Sequence, residues 1–440
     1  MHPNCLPSVH ARRTVSGAAL TIAAALGTAC GDDSGAADPA HGAGGSATGA
    51  AAGQLSVSAG GRTAAGGALA TGGNTAAGGT LAIGGATAAG GSTAAGGSGA
   101  SGGSSATGGT AGSGGTTDEC EGDADVDLSL VGWATQNGGT TGGRDGDVIT
   151  VNNGAELQQA LKDKQDSATP LTIMVAGAIT EANAGVNKID VKDVTDVSVI
   201  GAGSGAEFDG IGLKIMRASN IVIRNLRIHH VDIGDKDCIS IEGPADHIWI
   251  DHCELYNEYD GVDKDDYDGL LDAKAESEYI TYSWNYLHDS WKATLVGSSE
   301  SDTFDRKLTM HHNYYRNCHS RVPLFRSGNG HVFNNLYQDI HDTGINSRIG
   351  ACLRIENNHF ERVRNPWISA YSDVLGGGEP ICNTLVDSVF EFSDDDVNEL
   401  PQCTANVPYD YAAVLNQTSA VAAIVAANAG VGKLADPASF

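Results

Sequence analysis

Short apolar runs that each close on a polar residue recur through the second half of this chain, at 197–200, 221–228, 248–255, 279–287, 308–315, 331–337 and 353–360. Aligning the polar residues gives Asn225, His252, Asn285, Asn313, Asn335 and Asn358, at spacings of 27, 33, 28, 22 and 23. Repeats of about 20–30 residues with one strand-rich unit each are the sequence mark of a stacked solenoid. The asparagines have a physical reason. Asn bonds its neighbours at a tight corner while tolerating the left-handed conformation, and stacked amides can satisfy one another as a ladder. The apolar flanks alternate with period two, so one set makes the core. A β-sandwich would need hairpin turns between runs, whereas the connections here are long and variable. The pattern predicts a parallel β-helix.

The flanking segments fit that frame. Residues 148–151 and 171–175 read as strands, and 153–162 as a capped amphipathic helix with Ala155, Leu157 and Leu161 on one face. A helix over the open end is what a solenoid needs to protect its core. After Pro380 the repeat loosens, and 417–430 is an alanine-rich helical run, expected to cover the outside.

The first quarter is different in kind. Arg12 and Arg13 precede a short apolar stretch at 18–26, which is an export signal too short to span a membrane. It closes on Gly27-Thr-Ala-Cys30, so residues 1–30 read as a lipoprotein-type signal with Cys30 the first mature residue, or as a plain secretory signal cleaved nearby. Residues 31–125 are a Gly/Ala/Ser/Thr-rich tether with almost nothing apolar to bury, and 126–440 form the folded domain. The expected location is outside the cytoplasm, secreted or held at the bacterial surface by lipid on Cys30.

Net charge of −28 in 440 residues excludes a nucleic-acid partner, which would demand a basic face. Nine cysteines less Cys5 and Cys30 leave seven, so at least one is unpaired within the chain. Cys382–Cys403 is the first candidate bridge and Cys238–Cys253 the second.

The candidate chemistry lies in 235–326. Asp235 and Asp237 are two apart and share a face if extended. Asp268-Gly-Leu-Leu-Asp272-Ala-Lys274 follows, with Asp260, Asp263, Asp265 and Asp266 just before it. So many carboxylates repel one another unless a cation joins them, and an all-oxygen set favours a hard ion such as calcium. A solvated acidic loop has the same composition. Lys274, Lys292, Arg321, Arg326 and Arg348 come next, and a coil period would bring several onto one flank. Each taken singly is an ordinary surface charge.

Several stretches together resemble polysaccharide lyase family 1, the pectate lyases. They are Ile248-Trp-Ile-Asp-His252, the Asp268 to Lys274 segment, Ser283-Trp-Asn285, Lys292-Ala-Thr-Leu-Val-Gly-Ser-Ser299, His311-His-Asn-Tyr-Tyr315, Arg321-Val-Pro-Leu-Phe-Arg326 and the opening Gly132-Trp-Ala-Thr-Gln-Asn-Gly-Gly139. The resemblance implies a right-handed, single-stranded parallel β-helix that cleaves polygalacturonate by calcium-dependent β-elimination, working as a monomer. It implies calcium ligation by Asp237, Asp268 and Asp272, with Asp235 serving a further ion. It makes Arg321 the base, Lys292 and Arg326 its catalytic partners, and Lys274 and Arg348 substrate contacts. Asp251, His252 and Thr309 match buried structural residues. A free guanidinium is effectively always protonated, so a base role for Arg321 needs positive charge around it and an alkaline optimum.

Three other readings share the scaffold. A pectin lyase would act on methyl-esterified chains without metal, and retention of the three aspartates argues against it. A surface-anchored carbohydrate-binding β-helix would suit the tether but has no need of a base. A hydrolase would use paired acids to activate water and leave only saturated ends.

Overall fold

A computed structural model describes residues 122, 125–392 and 396–440. The export signal, Cys30 and nearly all of the tether lie outside the described residues. The rest is a parallel β-helix of about ten turns, with three sheets of ten, nine and nine strands. After the first coil, which supplies only Asp147–Val151, each coil contributes one strand to each sheet, and every pairing between named strands is parallel except that of Val397–Asn398, which runs antiparallel to Trp367–Ala370.

The expected first strand is Asp147–Val151 and the second is Leu171–Val175. The helix between them is Gly154–Lys164, capped by Asn153, whose side chain accepts from the Glu156 N–H. It buries Leu157, Ala160 and Leu161 in the main core, whereas Ala155 faces solvent. Leu157 and Leu161 are thus on the expected face, and only Ala155 is misplaced, its position on the buried side being taken by Gly154. Within the coils, side chains alternate between core and outside. The core stacks like on like, as in Tyr315, Tyr337 and Phe360, whose rings lie parallel at 5.2 and 4.5 Å.

The ladder exists, but two of its expected members stand beside it. Asn285, Asn313, Asn335, Asn358 and also Asn383 form it, each amide donating to the next carbonyl oxygen at 2.9–3.0 Å. Cys253, not His252, holds the position one coil before Asn285, its N–H donating to Asn285 Oδ1. Asn225 and His252 belong to the preceding corner row with Trp284, His312, Asn334, Asn357 and Cys382, all at positive φ. The left-handed corner and the amide ladder are thus adjacent rows, one residue apart. The loop between Tyr256 and Leu271 lengthens this coil to 32 residues in either row, so the spacing of 33 did not reveal the one-residue slip.

The C-terminal segment runs back along that corner row. Asn416 bonds to Asn334 and His312, the Gly430 N–H donates to the Trp284 carbonyl, and the Gly432 N–H donates to Asn225. Between them the helix Thr418–Asn428 packs Val421 and Val425 on Leu336. Its covering role is confirmed.

Neither expected disulfide forms. Cys403 pairs with Cys352, and Cys382 is itself disulfide-bonded. Cys238 and Cys253 are free, buried thiols. One opens a strand of the second sheet and the other a strand of the third, so nearness in sequence placed them at different corners.

Candidate active site

The carboxylates and cations meet where the third sheet turns into the second. Successive coils place 230–238, 257–270, 293–294 and 321–323 at this corner. Backbone bonds lock the stack: the Cys238 N–H donates to Gly269 O, that of Leu270 to Ala293 O, and that of Thr294 to Arg321 O, at 3.0, 2.9 and 2.7 Å. Arg321 sits in the left-handed region at φ 60°. Such a conformation costs a β-carbon about 1–2 kcal/mol and persists because the surrounding stack over-determines it.

Asp268 is the meeting point. Its carboxylate lies 3.2 Å from Lys292 Nζ and 3.9 Å from an Arg321 guanidinium nitrogen. Lys292 also reaches Asp265 at 2.8 Å. Hydrogen bonds from Lys264 and Lys292 hold the Asp265 carboxyl down at about 2. The acidic loop is therefore partly a counter-ion for Lys292 and Lys264.

Deeper in, Asp237 and Asp272 are both buried. Asp237 accepts from the Gly269 N–H and from Lys274 Nζ, and Asp272 accepts from the Leu295 N–H. Lys274 Nζ stands 2.9 Å from Asp272 Oδ2, close enough to pair its charge but badly aimed, so that oxygen has no hydrogen-bond donor. Burial and then the charge of Asp272 push the Asp237 carboxyl up to about 7. Burial also raises Asp272, and the two carboxylates raise Lys274 despite its own burial. The pocket is short of positive charge and lined by oxygen, which fits a hard divalent cation such as calcium.

Among the described residues, no three of Asp235, Asp237, Asp268 and Asp272 bring one oxygen each within 4.8 Å of one another. Each is occupied by a cation of the protein. Asp235 in particular pairs with Lys188 and Lys214 at 3.0 Å each.

The remaining cations lie across the outer face of the second sheet. Strand register sets Glu242 beside Lys274, and Arg326 beside Arg348. Arg326 is buried, bonding Glu300 at 3.2 Å and the Gly297 carbonyl at 3.0 Å. Arg348 lies 3.9 Å from the same Glu300 and over the Tyr371 ring. The structure thus gathers Arg321, Lys292 and Asp268 at the corner, Lys274 between Asp237 and Asp272, and Arg326 with Arg348 around Glu300.

Sequence reasoning missed Glu300, Lys188 and Lys214, which no spacing singles out. It also missed an aromatic group beside Lys292. Tyr259 stacks on His341 at 4.8 Å and lies 5.0 Å from Trp291, which in turn contacts His319 at 4.5 Å. The residues set aside as structural are so placed. Asp251 is wholly buried and bonded to Arg224, His252 and Ser283, and Thr309 to the Trp133 N–H and the Tyr409 hydroxyl.

A family model described as pectate lyase matches residues 123–434. A pectate trisaccharide-lyase of Bacillus licheniformis is 51% identical over 309 residues, covering 70% of this chain and 88% of its own. A crystal structure of a pectate lyase from Bacillus sp. N165 in complex with trigalacturonate aligns with a TM-score of 0.64 and 38% identity, over 69% of this chain and 99% of its own. Pectate lyase C of Erwinia chrysanthemi, solved at pH 9.5 with 30 mM Ca2+, aligns at 0.61 and 29% identity, over 70% and 97%.

Proposed function

The chain belongs to the pectate lyase family and is a pectate lyase, and from that premise we propose that it cleaves polygalacturonate by calcium-dependent β-elimination, with Arg321 as the base. The observation that supports these roles is the approach of Arg321 and Lys292 to Asp268, at the same corner as the electron-rich Asp237–Asp272 pocket.

Elimination must remove the proton on C5, which is poorly acidic because the neighbouring carboxylate is already negative. Calcium held by Asp237, Asp268 and Asp272 would withdraw that charge, and Asp235 would serve a further ion only on release from Lys188 and Lys214. Arg321 takes the C5 proton. The freed electron pair forms the C4–C5 double bond, and the C4–O4 pair leaves with the oxygen, which takes up a proton from solvent. Lys292 donates to the substrate carboxylate, where negative charge grows as the proton leaves, so it stabilises the transition state more than the ground state. Glu300 fixes the Arg326 and Arg348 side chains. Arg326 in turn supports the region of the base, and Lys274 and Arg348 bind further uronate groups. A net acidic protein accommodates a polyanion because these cations reverse the sign of the field locally. Export of the enzyme, and its anchoring through Cys30, belong to the same proposal.

The test is release of ultraviolet-absorbing unsaturated products from polygalacturonate. We expect activity that a calcium chelator abolishes and added calcium restores. Activity indifferent to chelation would remove the metal from the scheme, and saturated products would remove the elimination itself.

A further inference from the structure

The strand Leu226–His229 ends just before the segment that carries Asp235 and Asp237. Its last residue and the next, His229 and His230, lie beside Asp209 of the preceding coil, with which His229 is in register. One donor atom from each of Asp209, His229 and His230 falls within 4.8 Å of the others. The two Nδ1 atoms are 2.8 Å apart, and His229 Nδ1 is 3.7 Å from Asp209 Oδ1.

The outer nitrogens decide what the inner ones present. His229 Nε2 lies 3.1 Å from Glu207 Oε1, and His230 Nε2 lies 3.9 Å from Glu258 Oε1. The Glu207 carboxylate accepts and cannot donate, so His229 Nε2 carries its proton outward and its Nδ1 keeps a lone pair facing His230. Glu258 stands too far off to fix the His230 tautomer, so His230 Nδ1–H donates to that lone pair when no metal is bound. A cation binding there displaces this proton and takes both nitrogens. Imidazole nitrogen aimed inward and N–H tied to a carboxylate behind is the arrangement that orients histidine for a metal.

From this geometry we propose that Asp209, His229 and His230 bind a divalent transition metal of the zinc class, outside the lyase site. Two imidazoles and one carboxylate suit zinc, whereas calcium prefers oxygen alone. Zinc–nitrogen bonds of about 2.0–2.1 Å at a tetrahedral angle require the two nitrogens to part by about half an ångström. The buried His229 ring is held by stacking on Tyr256 at 4.8 Å, so the half-buried His230 makes that adjustment. The Asp209 side chain is 60% exposed, which gives the ion an entry path. Bound metal ties one coil to the start of the segment bearing Asp235 and Asp237, stiffening one wall of the cleft.

The experiment is calorimetric titration of the full chain with Zn2+ in excess Ca2+, which keeps the oxygen-only pocket filled by the hard ion. Co2+ serves as a parallel probe, because imidazole coordination gives it visible absorption bands. We expect one Zn2+ per chain and a higher melting temperature with zinc. Glu207→Gln, an exposed change that leaves the ligands in place, should weaken binding about 10–100-fold, and His230→Ala should weaken it further. Equal zinc affinity in wild type and both variants overturns the site. So does a wild type that gives neither zinc heat nor a cobalt band, which would mean that the histidine pair holds only a proton.

Discussion

Lys274 is the side chain on which the candidate metal pocket most depends when no metal is bound. Its Nζ lies 2.8 Å from Asp237 and 2.9 Å from Asp272, and both carboxylate side chains are only 1% exposed. Lys274→Met keeps the stem and removes the charge, leaving two buried carboxylates facing each other. Breaking a buried ion pair from one side costs about 3–5 kcal/mol. Protonating Asp237 is the escape. Its folded value of about 7 lies well above the ordinary carboxylate range, so its charged form costs stability that sets in above about pH 4 and is full above about pH 7. The variant should therefore lose about 3–5 kcal/mol near pH 8 in chelator and much less near pH 5, because each pH unit below the folded pKa spares about 1.4 kcal/mol. Calcium supplies the missing charge, so saturating calcium near pH 8 should shrink the loss as well. Urea unfolding followed by circular dichroism reads all three conditions. Equal midpoints for wild type and variant in chelator near pH 8 would refute the reasoning. A loss of the same size with and without calcium would separate Lys274 from the metal pocket.

Three further outcomes follow from the geometry. Arg321→Lys keeps a cation beside Asp268 but not the guanidinium, and should lower kcat about 10²–10⁴-fold with the melting temperature unchanged; near-normal turnover would exclude Arg321 as base. Asn335→Ala removes the partner of Asn313 and Asn358 inside the ladder, costing about 1–3 kcal/mol for each buried group left unpaired, read by urea midpoint at unchanged m-value. Cys352→Ser opens a bridge that spans 51 residues, which loop-closure entropy values at about 4 kcal/mol; a wild-type midpoint in the variant would show that the C-terminal segment docks without it.

The parallel β-helix, the helix near its start and the covering helix near its end were legible along the chain. Each is written in local signals: period-two apolar runs, Asn153 as a cap, an alanine-rich stretch. The gathering of Asp268, Lys292 and Arg321, and of Asp237 with Asp272, on one flank was legible too, through motifs carried at coil spacing. Pairings across coils were not. Whether His252 or Cys253 enters the ladder turns on a shift of a single residue in register, and whether Cys403 meets Cys382 or Cys352, like which cations surround Glu300, turns on which coil each loop returns to. Insertions in the loops change such shifts without altering the strands.

What the sequence determined by itself was therefore the repeat and the residue types available at one corner of it, because backbone pairing and apolar burial follow from neighbours along the chain. The tertiary structure alone decided which of those charges touch. Lys274 came to lie against Asp237 as well as its near neighbour Asp272, and Asp209 beside two histidines, because stacking brings residues twenty or more positions apart within a few ångströms. At that separation, electrostatics depends on distances that no linear pattern encodes.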